Sequence, residues 1–238
     1  MKIREINNIN ITIFGDSIPK GIVYLDDKIQ IAENCTVNIL ESFYNIKINN
    51  KSAYGQTLIR IVERQEIEKY ISSFNISNKN VVFMCVGGND SDYNWKEVEK
   101  SPEQNHCSKT SISEFAETIE KTVLKLKNNN VEVFLCTLVP IDSNRYMENM
   151  ISKIANPEKI MAFLNNDVTN ISRHQELFNN EIIKCAIKHN CPLLDIRSKF
   201  LMKRDYLDYY CIDGVHPNLK GQKFLAEKIV EDIEKIDF

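Results

Sequence analysis

Two apolar runs constrain this chain more than anything else in it. Residues 81–86 (VVFMCV) and 131–139 (VEVFLCTLV) are near-continuous stretches of β-branched, aromatic and aliphatic residues. A strand with one face in water alternates apolar with polar side chains. A run without that alternation must be covered on both faces, as a parallel strand is between two helical layers. Residues 9–14 and 192–196 (PLLDI) read as further buried strands, and residues 43–48 (FYNIKI), which alternate more, as an edge strand. Between them, residues 57–73, Ile112–Lys127, 165–189 and 218–236 carry apolar residues at helical spacing. Ser113 is placed to cap the second of these helices and Asn218 the last. Strand and helix alternate, which predicts an α/β fold built as a three-layer sandwich. No repeat, low-complexity tract or Pro/Gly/Ser-rich linker divides residues 1–238, so one domain is expected.

Composition narrows the setting. With 30 basic and 33 acidic residues the net charge is −3, so no global field draws nucleic acid or an anionic membrane, and neither is expected as a partner. No apolar run approaches the roughly 18 residues of a membrane-spanning helix. The first ten residues hold charges and asparagines where a secretory leader needs an apolar segment. Seven scattered cysteines without a Cys-x-x-Cys pair suit reduced thiols, and together these features predict a cytoplasmic location. Cys85 and Cys136 sit inside the apolar runs, where a thiol acts as a small hydrophobe. His106 and Cys107 are adjacent, but a zinc site needs three or four ligands, so no metal is expected there.

The chain is sparing with glycine: seven in 238 residues, less than half the usual share of roughly 7%. Most fall near the ends of the expected strands, beside the densest polar clusters: Gly15-Asp16-Ser17, Gly87-Gly88-Asn89-Asp90 and Asp213-Gly214-Val215-His216. Ordinary strand-to-helix turns account for Gly21 and Gly221 well and for the rest less well. Ser17 follows an apolar strand directly, at the sheet edge where open α/β folds bind ligands. A serine hydroxyl needs a base to become a nucleophile. Of the four histidines, His106 and His174 lie in polar or amphipathic context and His189 ends a helix, where a cation suits the dipole. His216 alone has a carboxylate three residues before it and a proline after it. Asp213 in the same loop would accept a hydrogen bond from Nδ1–H and leave Nε2 free to accept from serine. Taken alone, that pair favours a surface Asp–His couple ahead of a helix cap, because short motifs often match by chance. Asn89, the Gly55 N–H and the Ser17 N–H are candidate donors to a developing oxyanion. Each also has a plainer reading, Asn89 as a cap and Gly55 as a turn.

Taken together, these residues resemble the SGNH hydrolases, the GDS-motif lipases and acylhydrolases. Gly15-Asp16-Ser17 with Gly21 is similar to their nucleophile block, Gly55 to the single-glycine block and Gly87-Gly88-Asn89-Asp90 to the Gly-x-Asn-Asp block. Asp213-Gly214-Val215-His216-Pro217-Asn218 is similar to the Asp-x-x-His block, and the four run in chain order from residue 11 to about residue 230. The resemblance implies a flavodoxin-like α/β/α sandwich with about five parallel strands. It implies Ser17 as nucleophile, His216 as base and Asp213 as its orienter, with Ser17, Gly55 and Asn89 forming the oxyanion hole. It implies no metal and no organic cofactor, and turn-supporting roles for Asp16 and Asp90. The nucleophile block continues Ser-Ile-Pro-Lys where the family often has threonine, a departure at the pocket entrance.

The expected activity is hydrolysis of small, short-acyl or acetyl-like carboxylic esters, carbohydrate-linked esters among them. Rival readings are an acyltransferase on the same triad, a non-catalytic carbohydrate-binding relative and a nucleotide binder of flavodoxin type. The charge of Asp16 opposes phosphate and weighs against the last. Residues 91–110 and 140–158 follow strand ends and are expected to line the pocket. Tyr93, Trp95 and Tyr146 within them would either stack on a sugar or pack beneath a loop.

Overall fold

A computed structural model describes residues 9–25, 28–75 and 78–234. Residues 1–8, where no secretory leader is expected, and residues 235–236 of the expected last helix lie outside the described residues. The chain enters through β1 (Ile9–Gly15), then forms a hairpin of β2 (Ile22–Leu25) and β3 (Lys28–Ile31), α1 (Thr36–Tyr44) and β4 (Ile48–Asn50). Next come α2 (Leu58–Glu63), α3 (Glu66–Ser73), β5 (Lys79–Cys85), α4 (Trp95–Lys100), α5 (Ile112–Lys127) and β6 (Val131–Cys136). The last third holds α6 (Ser143–Asn149), α7 (Pro157–Phe163), α8 (Asn170–Lys188), β7 (Leu193–Leu194), α9 (Ile196–Leu201) and α10 (Leu219–Ile233).

Five strands form one parallel sheet in the order β4-β1-β5-β6-β7. Counting only these strands, the order is 2-1-3-4-5, the flavodoxin-like arrangement, in which the chain reverses direction across the sheet beside β1. The apolar runs are buried on both faces, as their composition requires. Val82 and Met84 of β5 meet α2, α3, α5 and α8 through Leu58, Ile67, Phe115 and Phe178. Val81 and Phe83, pointing the other way, meet the opposite layer through Val37, Ile196 and Ile229. Burying side chains such as Phe14, Phe115 and Phe134 completely contributes roughly 1.5–3 kcal/mol each. The register of β1 on β5, from Ile9 on Lys79 to Gly15 on Cys85, makes these two strands end level. The turns that follow them therefore emerge side by side at the switch point.

Several local expectations change. Phe43 and Tyr44 belong to α1, whose buried residues Thr36, Val37, Leu40 and Tyr44 follow helical spacing. The chain then reverses through Asn45 at φ 52, and only Ile48–Asn50 is strand. The helix expected over 57–73 breaks in two at Gln65, which adopts φ 54. Ser111, not Ser113, caps α5, its hydroxyl accepting the Glu114 N–H at 3.2 Å. Helix α8 starts only at Asn170, after Asn165 and Asn166 have taken left-handed conformations. Residues 91–110 and 140–158, expected to be irregular, contain the short helices α4 and α6.

Candidate active site

Ser17 stands two residues beyond the last residue of β1. A Cβ at position 15 would lie 2.4 Å from the Pro19 ring and 2.9 Å from the Ser52 hydroxyl, so glycine is what lets the strand turn this tightly. The turn is closed by Gly21 N–H to Ile18 carbonyl and Ile22 N–H to Ser17 carbonyl, both 2.9 Å. Asp16 braces it from inside, one carboxylate oxygen accepting the Ile18 N–H at 3.0 Å. Burial raises the Asp16 carboxyl to about 6; the Ile18 N–H and His216 oppose the rise, and Asp90 adds to it.

The imidazole that meets Ser17 arrives from the other end of the chain. His216 Nε2 lies 2.8 Å from Ser17 Oγ, and His216 Nδ1 lies 2.6 Å from Asp213 Oδ2. Asp213 is fully buried, and its other oxygen accepts the backbone N–H groups of Val215 and His216 at 2.9 and 3.0 Å. Burial alone would raise the Asp213 carboxyl, but the hydrogen bond and charge of His216 and these N–H groups hold it below the usual carboxylate value. The loop is pinned on both sides. Cys211 N–H donates to the His216 carbonyl at 2.8 Å, and Asp142 N–H donates to the Gly214 carbonyl at 2.8 Å. Gly214 sits at φ +71, where a Cβ would come within 2.6 Å of the Asp142 carbonyl oxygen. The Asn218 amide donates to the Asp208 and Tyr210 carbonyls, while its oxygen caps α10 at Gly221 N–H.

The two remaining motif blocks are tied to each other by Asp90. Both of its oxygens accept the Leu58 N–H at 3.1 Å, and one accepts the Thr110 hydroxyl at 2.9 Å. That links the exit of β5, where Asn89 lies, to the start of α2 just after Gly55. Burial raises the Asp90 carboxyl to about 6, against the Leu58 and Thr110 hydrogen bonds. The Arg60 guanidinium holds the Gly55 carbonyl at 3.1 Å. Among the described residues, the Ser17 N–H, the Gly55 N–H and the Asn89 side-chain amide meet no protein acceptor.

The other histidines are elsewhere engaged: His106 with the Ser101 carbonyl, His189 with Glu120, and His174 between the rings of Tyr93 and Phe178. Among the described residues, no group of three His, Cys, Asp or Glu side chains is placed to hold a metal ion. Every cysteine is a free thiol, with Cys85 and Cys136 side by side at 3.1 Å between sulfurs. Trp95 is 3% exposed, and its indole N–H, like the Tyr146 hydroxyl, donates to Asp92. Tyr93 packs on Trp95 and Phe163, so these three aromatics build the wall of a loop cluster. Sequence reasoning missed Tyr54, whose exposed ring lies nearly parallel to that of His216, with centroids 6.4 Å apart. Its position directly before Gly55 is the only sequence signal that pointed there.

The profile of the family described as GDSL-like lipase/acylhydrolase matches residues 11–229, nearly the whole chain. The chain belongs to that family. It is an ester hydrolase of the GDSL type. No curated protein matches it in sequence. Among solved structures, a lipase/acylhydrolase from Enterococcus faecalis superimposes with a TM-score of 0.64 at 20% identity, over 95% of each chain. A lipolytic protein of the G-D-S-L family from Veillonella parvula gives 0.66 at 17% identity, over 96% of this chain and 100% of that one. An acetylxylan esterase from Geobacillus stearothermophilus gives 0.62 at 19% identity, over 95% and 94%. At such identities the likeness is one of fold, and the fold agrees with the sheet order above. No helix among the described residues is long and apolar enough to cross a membrane.

Proposed function

We propose that this GDSL hydrolase cleaves short-acyl, acetyl-like esters of small alcohols, carbohydrate-linked ones among them, through an acyl-serine intermediate at Ser17. The observation that carries the reading is the unbroken relay from Asp213 through His216 to Ser17, at 2.6 and 2.8 Å. In this scheme His216 Nε2 removes the Ser17 proton as Oγ attacks the ester carbonyl carbon. Asp213, kept ionised, fixes the tautomer and stabilises the imidazolium. Negative charge develops on the carbonyl oxygen, toward the Ser17 and Gly55 N–H groups and the Asn89 amide. Because no protein acceptor engages these donors, none has to break a bond to serve. His216 then gives its proton to the leaving alkoxide, and in the second half-reaction takes one from water, which releases the acid and restores Ser17. The short-acyl preference is supported by the fold likeness to an acetylxylan esterase.

Hydrolysis of p-nitrophenyl esters from acetate to long chains tests the reading, with Ser17→Ala beside the wild type. Activity falling steeply with chain length, and reduced at least ~10³-fold in the variant, is the expected result. Equal rates for variant and wild type would refute the nucleophile assignment, and a preference for long chains would refute the short-acyl one.

A further inference from the structure

We infer that Tyr54 forms the leaving-group subsite of this enzyme and selects ester substrates whose alcohol is a ring with a flat face, a pyranoside or an aryl alcohol. The inference rests on the serine-esterase reading above and goes on to name the class of alcohol. It follows from where the reaction puts each half of the ester. The oxygen of the leaving alcohol must sit at His216 Nε2, since that atom protonates it, while the carbonyl oxygen points to the Gly55 N–H. Tyr54 lies between these two demands: it precedes Gly55 in the chain, and its ring runs nearly parallel to the His216 imidazole, at 20° between planes and 6.4 Å between centroids. His216 itself is buried, so it is the Tyr54 ring that offers a face to solvent beside the atom that the alcohol occupies.

Tyr54 is 54% exposed, whereas Trp95 in the loop cluster is 3% exposed and committed to packing. A Cβ on Gly55 would meet nothing within 4 Å, so the space in front of this segment is open to a substrate. The Tyr54 hydroxyl remains a neutral donor well into alkaline pH, because burial and then the charges of Asp213 and Asp92 raise it above the usual phenol value. A neutral phenol with an exposed face suits the apolar C–H face of a sugar or an aromatic ring, with the hydroxyl at the rim for a polar substituent.

The test compares kcat and KM of wild type, Tyr54→Ala and Tyr54→Phe on two acetates, ethyl acetate and a mono-O-acetylated methyl pyranoside. Expected is a loss in Tyr54→Ala that is about tenfold greater for the pyranoside than for ethyl acetate, carried mainly by KM and largely restored in Tyr54→Phe. Equal losses on both acetates, or none on the pyranoside, would overturn the subsite while leaving the esterase reading intact. A wild type that hydrolyses neither acetate would overturn both.

Discussion

Replacing Asp16 with asparagine makes the nucleophile turn a probe of its own buried charge. The Asp16 carboxyl has an ordinary value of 3.8 in the open chain and is raised to about 6 by burial in the folded one. Between those two pH values the folded state holds the proton more tightly than the unfolded state. Stability from this group is therefore fully present below 3.8 and is lost as pH rises through about 6. The gap corresponds to about 3 kcal/mol, a large share of the roughly 5–15 kcal/mol that holds a domain together. Asparagine is nearly isosteric, keeps an oxygen for the Ile18 N–H and cannot ionise. Relative to wild type, Asp16→Asn should gain about 2.4 kcal/mol between pH 4 and pH 8, with most of the gain complete by pH 7. Urea unfolding at each pH, followed by the fluorescence of the buried Trp95, measures it. A stability difference that stays flat with pH, or that moves against the variant as pH rises, would refute the account of Asp16.

Three further substitutions test the geometry around Ser17 and His216. Asn89→Ala should lower kcat by roughly 10²–10³-fold with little change in KM, since the amide is needed only once charge develops on the carbonyl oxygen; an equal effect on KM would show ground-state binding instead. Gly214→Ala should lower both the urea midpoint and kcat, because φ +71 and a Cβ at 2.6 Å from the Asp142 carbonyl oxygen force the base loop to move. Gly55→Ala, at φ +68 with open space around the new methyl, should cost only the backbone term of roughly 1–2 kcal/mol in stability.

The parts of the fold that could be read in the sequence are those where one physical demand dominates. Double-sided burial makes residues 81–86 and 131–139 visible as central strands, and chemistry concentrates Asp213, His216, Ser17 and Asn89 beside scarce glycines. Where two demands compete, the reading fails. In residues 43–48 a period of two appears because the end of α1 abuts a short strand; the helical phase shows only once Thr36, Val37 and Leu40 are counted with Tyr44. The left-handed Gln65 that splits α2 from α3 carries no glycine or proline to announce it. Trp95 leaves two readings open in the sequence, stacking on a sugar or packing beneath a loop, because aromatic composition does not distinguish a face turned to solvent from one turned to Met147 or Ile151. Tyr54 is hidden for the opposite reason, since its meaning comes from a histidine late in the chain.

The Ser17–His216 contact spans 199 positions of sequence. On the serine-esterase reading, a chain that has just completed β6 carries Ser17, Gly55 and Asn89 but not His216, and should not turn over esters. In the full chain, turnover at Ser17 should require the segment after β7 to be in place, so ester hydrolysis reports the docking of that segment. In refolding from urea, hydrolysis followed beside the fluorescence of Trp95 separates the docking of the last segment from the packing of the loop cluster.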